Sequence, residues 1–310
     1  MDYLIFVVSM VSLIYGANHI INQSEKIALH FEIPAFIIGA TVVALGTSLP
    51  EMAASVTASY QGKSDMAVAN VLGSVTFNIS LVLGVIFLLS KKLKPKRDIY
   101  KNDSVWIVIP PVLFLLISYD GIISRIDGTI LLILMLAYLL FLNSDRKNLL
   151  GSIDEDIIKE KFAWGKTSFF LVIGFIFVIL GAKYTIQSAS QIALHFGISE
   201  WVIALLLIAF GTSLPELVVS IIAVKKDNTD MAIGNIIGSN VANFAVVLGS
   251  SALVNPLHVD LAQNGFDVLC MLSSSIILVY ITATKLYNKS GGIVLLSIIV
   301  LMLNHSFNIL

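Results

Sequence analysis

Apolar residues occur in runs of about 20 along the whole 310-residue chain, separated by short polar stretches. A run of that length matches a helix crossing a hydrocarbon layer about 30 Å thick. The pattern predicts ten such helices, over 2–22, 34–60, 65–90, 103–119, 126–143, 165–190, 199–224, 230–253, 265–284 and 291–308. None of the connections is long or polar enough to be a soluble domain. The longest, 144–164, contains SIDEDIIKEK and reads as a solvated cytoplasmic linker with charge pairs at helical spacing. It lacks the alternating Asp/Asn ligands and central glycine of a calcium-binding loop. The opening MDYLIFVVS carries Asp2 where a secretory leader has basic residues, and reads as a retained first helix.

Composition agrees with that pattern: 57% of the residues are hydrophobic and 13% charged, the profile of an all-α integral membrane protein. One cysteine, Cys270, leaves no disulfide framework. Net charge is −1, so position matters more than sum. If both termini lie outside the cell membrane, 16 Lys and Arg fall on the inner side and three (Lys63, Arg125 and Lys183) outside, which is the orientation favoured by the positive-inside rule. The basic run KKLKPKRDIYK is then chiefly a topology signal, with anionic lipid as a secondary partner.

The chain also repeats itself. IALHF at 27–31 returns at 192–196, GTSLPE at 46–51 returns at 211–216, DMAVANVLGS at 65–74 returns as DMAIGNIIGS at 230–239, and LVLG at 81–84 returns as VVLG at 246–249. All four pairs share one offset of 165 residues. The expected organisation is therefore two five-helix repeats, 1–143 and 165–310, joined by the linker. Five spans is an odd number, so the second repeat enters the membrane inverted relative to the first, an arrangement typical of secondary transporters.

Within GTSLPE, Pro50 has no N–H to give to the carbonyl of Gly46, and Pro215 has none for Gly211, so helices 2 and 7 are expected to break around Gly46–Thr47 and Gly211–Thr212. Carbonyl oxygens freed inside a membrane must find protein, water or a cation. Glu51 and Glu216 directly follow the breaks and are the acids lying deep in the predicted spans; each costs at least about 2.5 kcal/mol to insert. Ser48 and Ser213 lie three residues before them, and Ser74 with Asn78 and Ser239 with Asn243 are spaced four apart on helices 3 and 8. Carboxylate, amide, hydroxyl and carbonyl are hard oxygen donors suited to Ca²⁺ and Na⁺, and Cys or His donors for zinc or copper are missing from the set. A lone proline is ordinarily a kink, and a lone serine or asparagine in a membrane helix is ordinarily a packing contact. The glutamates are different because no Lys or Arg lies at their depth. Thr76, Phe77, Pro110 and Pro111 read as packing, the two prolines kinking helix 4. His30 and His195 read as structural residues at helix ends.

GATVVALGTSLPE…GSVTFN and IAFGTSLPE…NIIGSNVANF together resemble the two alpha-repeats of the cation/calcium exchanger superfamily, in its prokaryotic sodium/calcium branch. The likeness implies that Glu51 and Glu216 bind Ca²⁺ together with the main-chain carbonyls of Thr47 and Thr212. It implies Na⁺ sites at the carbonyls of Ala44 and Ala209 and at Ser48, Ser213, Ser74 and Ser239, with Asn78 and Asn243 as the central pair. Some relatives carry aspartate at the position of Asn243, and those that co-transport K⁺ tend to use an acid there, which weighs against K⁺ dependence. Val75 in the first repeat faces Asn240 in the second, so the halves are not chemically identical. The large regulatory insertion of animal exchangers has no counterpart in 144–164.

The expected activity is antiport rather than enzymatic: Na⁺ and Ca²⁺ alternate at a single midplane site without a cofactor, and the first and sixth helices slide to switch access. A monomer suffices for this. A proton-coupled calcium antiporter is the nearest alternative. An intramembrane hydrolase using Ser48 or Ser213 lacks a histidine base at that depth, and a channel fits two paired acids poorly.

Overall fold

A computed structural model describes residues 1–89, 93–149, 163–196, 211–261 and 264–307. These residues are helical apart from a two-residue antiparallel pairing of β1 (Ile122–Ile123) with β2 (Leu257–His258). In chain order the helices are α1 (Asp2–His30), α2 (Ala35–Thr47), α3 (Leu49–Tyr60), α4 (Ser64–Leu89), α5 (Ile99–Ile117), α6 (Arg125–Leu149), α7 (Trp164–His195), α8 (Leu214–Lys225), α9 (Thr229–Val254), α10 (Gly265–Thr284) and α11 (Lys289–Phe307). Seven of them are long and apolar enough to cross a membrane, α2 and α3 together make an eighth span, and Lys289–His305 is a shorter apolar helix. The protein is thus an all-helical multi-pass membrane protein. Most of the first half of the expected seventh helix, with Ala209, lies outside the described residues, as do 150–162 of the expected linker.

Several expected boundaries move. α1 continues eight residues past the predicted end at 22, because Gln23, Ser24, Ile27 and Ala28 are all buried and keep the polar NQSEK stretch against the protein. It ends where Glu32 takes a left-handed φ of 52° just before Pro34. The extension takes in Lys26, and Lys183 lies within α7, inside the predicted span 165–190. It also puts His19 close to the middle of α1, so a histidine is present deep in a span after all. Its ring stacks on Phe170 at 5.3 Å and meets Tyr15 edge-on at 4.5 Å. Pro110 and Pro111 are buried inside α5 without interrupting it.

The chain packs as two units. The first comprises Met1–Thr47 and Asn143–Asn235. Here α1 lies along α7 at a distance only glycine permits: a Cβ on Gly16 would stand 2.7 Å from the carbonyl oxygen of Gly174, and one on Gly181 would stand 2.8 Å from the amide of Leu13. Thr185 donates to Ser9 across the same seam at 2.9 Å. Ala17, Ile20, Ile21, Ile38, Val43, Val178, Val219 and Ala223 form the apolar core that joins this helix pair to α2 and α8.

The second unit comprises Ser48–Leu142 and Ile236–Leu310. α4 packs here against α3, α10 and α11, and the last turns of α9 pack against α3. Ser59 of α3 donates to the carbonyl of Ser251 at 2.6 Å. The basic run expected to be mainly a topology signal has a second use, since Arg97 is buried and forms a two-pronged ion pair with the fully buried Asp103, at 2.6 and 3.0 Å. Tyr287 lies nearby and accepts from the amide of Leu93; burial, then the carboxylates of Asp98 and Asp103, push its phenol up to about 12. Asp103 thus joins Glu51 and Glu216 as a buried acid, and a cation beside it explains its presence.

Candidate cation-binding residues around two broken helices

The sequence GTSLPE shapes the backbone alike in both copies. Ser48 stands at φ −83°, ψ 5° between α2 and α3, with Pro50 in the first turn of α3; Ser213 stands at φ −86°, ψ 2° before α8, with Pro215 in its first turn. In the first copy the helix is interrupted at Ser48, one residue after the expected Gly46–Thr47; in the second the interruption takes in Thr212, as expected, and Ser213. A proline at the second place of a new helix loses nothing by lacking an N–H, so the new helix starts just ahead of it. The amides of Met52 and Leu217 then close onto the carbonyls of Ser48 and Ser213, each at 3.1 Å. Gly46 has no side chain because the ring of Phe175 from α7 occupies the place a Cβ would take.

Among the described residues three further irregularities stand out, which the sequence pattern does not predict. Gly39–Val43, Asn78–Leu83 and Asn243–Leu248 are π-helical turns. The last two begin at the asparagines picked out by the repeat. A π turn widens the helix by one residue per hydrogen-bonded loop and is common at functional sites. No residue pattern announced them, since Gly84 and Gly249, which end them, are ordinary residues in membrane helices.

In the first unit the candidates are Ala44, Thr47, Thr212, Ser213 and Glu216. Thr47 and Glu216 are fully buried, Ser213 nearly so, and Thr212 is half-buried. α8 packs against residues 44–47, which brings the Glu216 helix to the broken end of α2. The hydroxyl of Thr47 donates to the carbonyls of Val43 at 3.1 Å and Ala44 at 3.2 Å. It also reaches the amide oxygen of Asn235 at 3.4 Å, while Asn235 Nδ2 donates to Ser220 at 3.0 Å. The Ser213 hydroxyl is buried with no hydrogen-bond partner among the described residues.

In the second unit the candidates are Ser48, Glu51, Ser74, Asn78, Ser239 and Asn243, all buried. They come from α3, α4 and α9, and the π turn that starts at Asn243 packs against both α3 and α4. Asn70 Nδ2 donates to Ser55 Oγ at 2.8 Å and to the carbonyl of Glu51 at 3.3 Å, and Ser55 donates to the carbonyl of Ala67 at 3.3 Å. These bonds fix the first turn of α3 against α4. Asn78 Nδ2 donates to Asn240 Oδ1 at 3.1 Å. Among the described residues neither amide atom of Asn243 has a hydrogen-bond partner, and neither does Asn78 Oδ1.

Buried polar atoms are normally hydrogen-bonded, and leaving one unmade costs about 1–3 kcal/mol. Oxygens of Asn78, Asn243 and Ser213, which lack hydrogen-bond partners among the described residues, are acceptors suited to a hard cation. Asn70 and Asn235, with Ser55 and Ser220, were missed by the sequence reading. Their signal was there: each pair lies inside the repeated segments at the common offset of 165.

The comparisons with known proteins agree with this chemistry. The family model described as sodium/calcium exchanger protein matches residues 1–143 and 166–307. An uncharacterized membrane protein of Methanocaldococcus jannaschii is 37% identical over 300 residues, covering 96% of this chain and 95% of that protein. The sodium/calcium exchanger MaX1 of Methanosarcina acetivorans is 30% identical, with 91% of each chain covered. A solved structure of the sodium-calcium exchanger NCX_Mj, soaked with zero Na⁺ and Ca²⁺, superposes with a TM-score of 0.81 at 34% identity and 98% coverage of both chains.

Proposed function

This chain belongs to the sodium/calcium exchanger family, and from that premise we propose that it is a secondary antiporter in which Na⁺ and Ca²⁺ compete for a single midplane site. The observation that carries the reading is the duplicated break: two buried glutamates, each at the start of a new helix behind a non-helical serine, in a protein whose buried Asn78, Asn243 and Ser213 keep polar atoms without partners among the described residues.

In this reading Glu51 and Glu216 supply the two negative charges that neutralise one Ca²⁺. The carbonyls of Thr47 and Thr212 complete its shell. Na⁺ uses Ser48, Ser213, Ser74, Ser239 and the carbonyls of Ala44 and Ala209, with Asn78 and Asn243 as the central pair. Sharing the carboxylates is what couples the ions, because a site filled by Na⁺ has no charge left for Ca²⁺. The breaks aid this twice, freeing carbonyls and setting the positive ends of the α3 and α8 dipoles beside the acids.

The inverted repeat, 1–143 against 165–310 about a cytoplasmic linker with both termini outside, supplies the two equivalent states that alternating access needs. α1 and α7 are the sliding elements in this reading. Their support is the glycine seam, which joins them with few polar ties and lets them move as one piece. Crosslinks that fix this pair to the rest of the chain are expected to stop exchange and leave ion binding intact.

The deciding experiment is uptake of radiolabelled Ca²⁺ into vesicles preloaded with Na⁺, with K⁺ or with acid. Uptake driven by the outward Na⁺ gradient alone is expected. Uptake driven by acid without Na⁺ would instead make the protein a proton-coupled calcium antiporter.

A further inference from the structure

The repeat matches Asn78 to Asn243 and Val75 to Asn240. The hydrogen bond that Asn78 Nδ2 donates to Asn240 Oδ1 therefore has a counterpart that the chain cannot make, because the partner Asn243 would need is Val75, a buried apolar residue. The unpaired amide of Asn243 fits this asymmetry: both its ends lack hydrogen bonds among the described residues, whereas Asn78 lacks one only at its oxygen.

We infer that Asn240 is a positioning residue that holds the amide nitrogen of Asn78 and so fixes its oxygen as a cation ligand. An asparagine side chain presents either a carbonyl oxygen or an NH₂ group in nearly the same volume, and only the oxygen can ligate a cation. Asn240 Oδ1 accepts only from a donor, so at 3.1 Å it selects the orientation in which Asn78 turns NH₂ toward it and oxygen away. Asn243, with Val75 at the mirror position, has no such selector and must be oriented by the ion itself. The two central amides are thus unequal: one is preset and the other adapts. Asn240 is 9% exposed and Asn78 fully buried, so water does not substitute for the bond. This inference rests on the reading of Asn78 and Glu51 as cation ligands.

The test is a double-mutant cycle read by equilibrium binding of radiolabelled Ca²⁺, and its displacement by Na⁺, on the purified full-length protein. Asn240→Val copies the residue at the mirror position and is expected to weaken binding about fivefold, the worth of one net hydrogen bond. Asn78→Ala is expected to weaken it at least as much. In the Asn78→Ala background Asn240→Val should have no further effect, because its influence passes through Asn78. A full extra fivefold loss in that background, or unchanged binding in Asn240→Val alone, would overturn the proposal. Asn240→Leu, which keeps the branched outline of asparagine without an acceptor, replaces the valine variant if that one does not fold. Glu51→Gln separates the two levels: wild-type binding by both Glu51→Gln and Asn78→Ala would defeat the ligand assignment itself, whereas loss in both with no effect at position 240 defeats only the positioning role.

Discussion

In the first repeat Asn70 donates to Ser55 at 2.8 Å, and 165 residues on Asn235 donates to Ser220 at 3.0 Å. In the first repeat Asp103 pairs with Arg97 at 2.6 Å, and 165 residues on the chain carries Val268 and Ala262. The first comparison is of things kept alike and the second of things allowed to differ. What the repeats share in structure gathers at the serine breaks and in the middles of α4 and α9: the non-helical serine, the proline, the glutamate, the π turn at the asparagine and the Asn–Ser tie. What they do not share lies at the helix ends: in the inverted arrangement proposed above, one repeat's connector lies on the opposite side from its counterpart, so the two connectors meet different surroundings.

Four sets of substitutions would break or sharpen this contrast. The largest effect belongs to the acids. Glu51→Gln and Glu216→Gln should each reduce Na⁺-driven Ca²⁺ uptake to background, because each removes half the charge available to the ion; an active variant of one and an inactive variant of the other would break the equivalence of the two repeats. Arg97→Met should come next, lowering stability by about 3–5 kcal/mol by leaving Asp103 buried without its cation. Arg97→Met combined with Asp103→Leu gives the first repeat the apolar character already present at Ala262 and Val268, and should recover most of the lost thermal stability. Unfolding temperature in detergent reads both.

Asn70→Ala and Asn235→Ala follow, each costing about 1–3 kcal/mol through buried partners left unpaired. The two should cost about the same, because each also loses a second contact, Asn70 its bond to the Glu51 carbonyl and Asn235 its bond from Thr47. Clearly unequal shifts in unfolding temperature would break the equivalence of the two ties. The smallest effect is expected from Val75→Asn, which offers Asn243 the partner it lacks. It should tighten cation binding about two- to fivefold, the worth of one hydrogen bond, and unchanged or weaker binding would show that the freedom of Asn243 is not a cost.

Much of this was legible in the sequence because a membrane simplifies the problem. Length of apolar run fixed the helices, and α10 starts and stops at the predicted residues 265 and 284. The duplicated GTSLPE located both interruptions to within one residue. The misses have a common physical origin, which is that the apolar pattern reports transfer out of water and not contact between helices. Gln23 and Ser24 look like the end of a span, yet α1 continues because they are buried against protein. Arg97 looks like one more inner-side cation among six, and only packing shows it turned inward against Asp103. π turns leave the hydrophobic pattern almost untouched, and Asn70 and Asn235 resemble any interhelical asparagine until their serines are seen.

The central claim is that the two glutamates serve one site contested by two ions. It is tested most directly by titrating Na⁺ against radiolabelled Ca²⁺ bound to the purified protein at equilibrium. The account predicts one Ca²⁺ per chain, displaced completely as Na⁺ rises and lost in either glutamine variant. Two Ca²⁺ per chain, or a fraction that persists at saturating Na⁺, would contradict it.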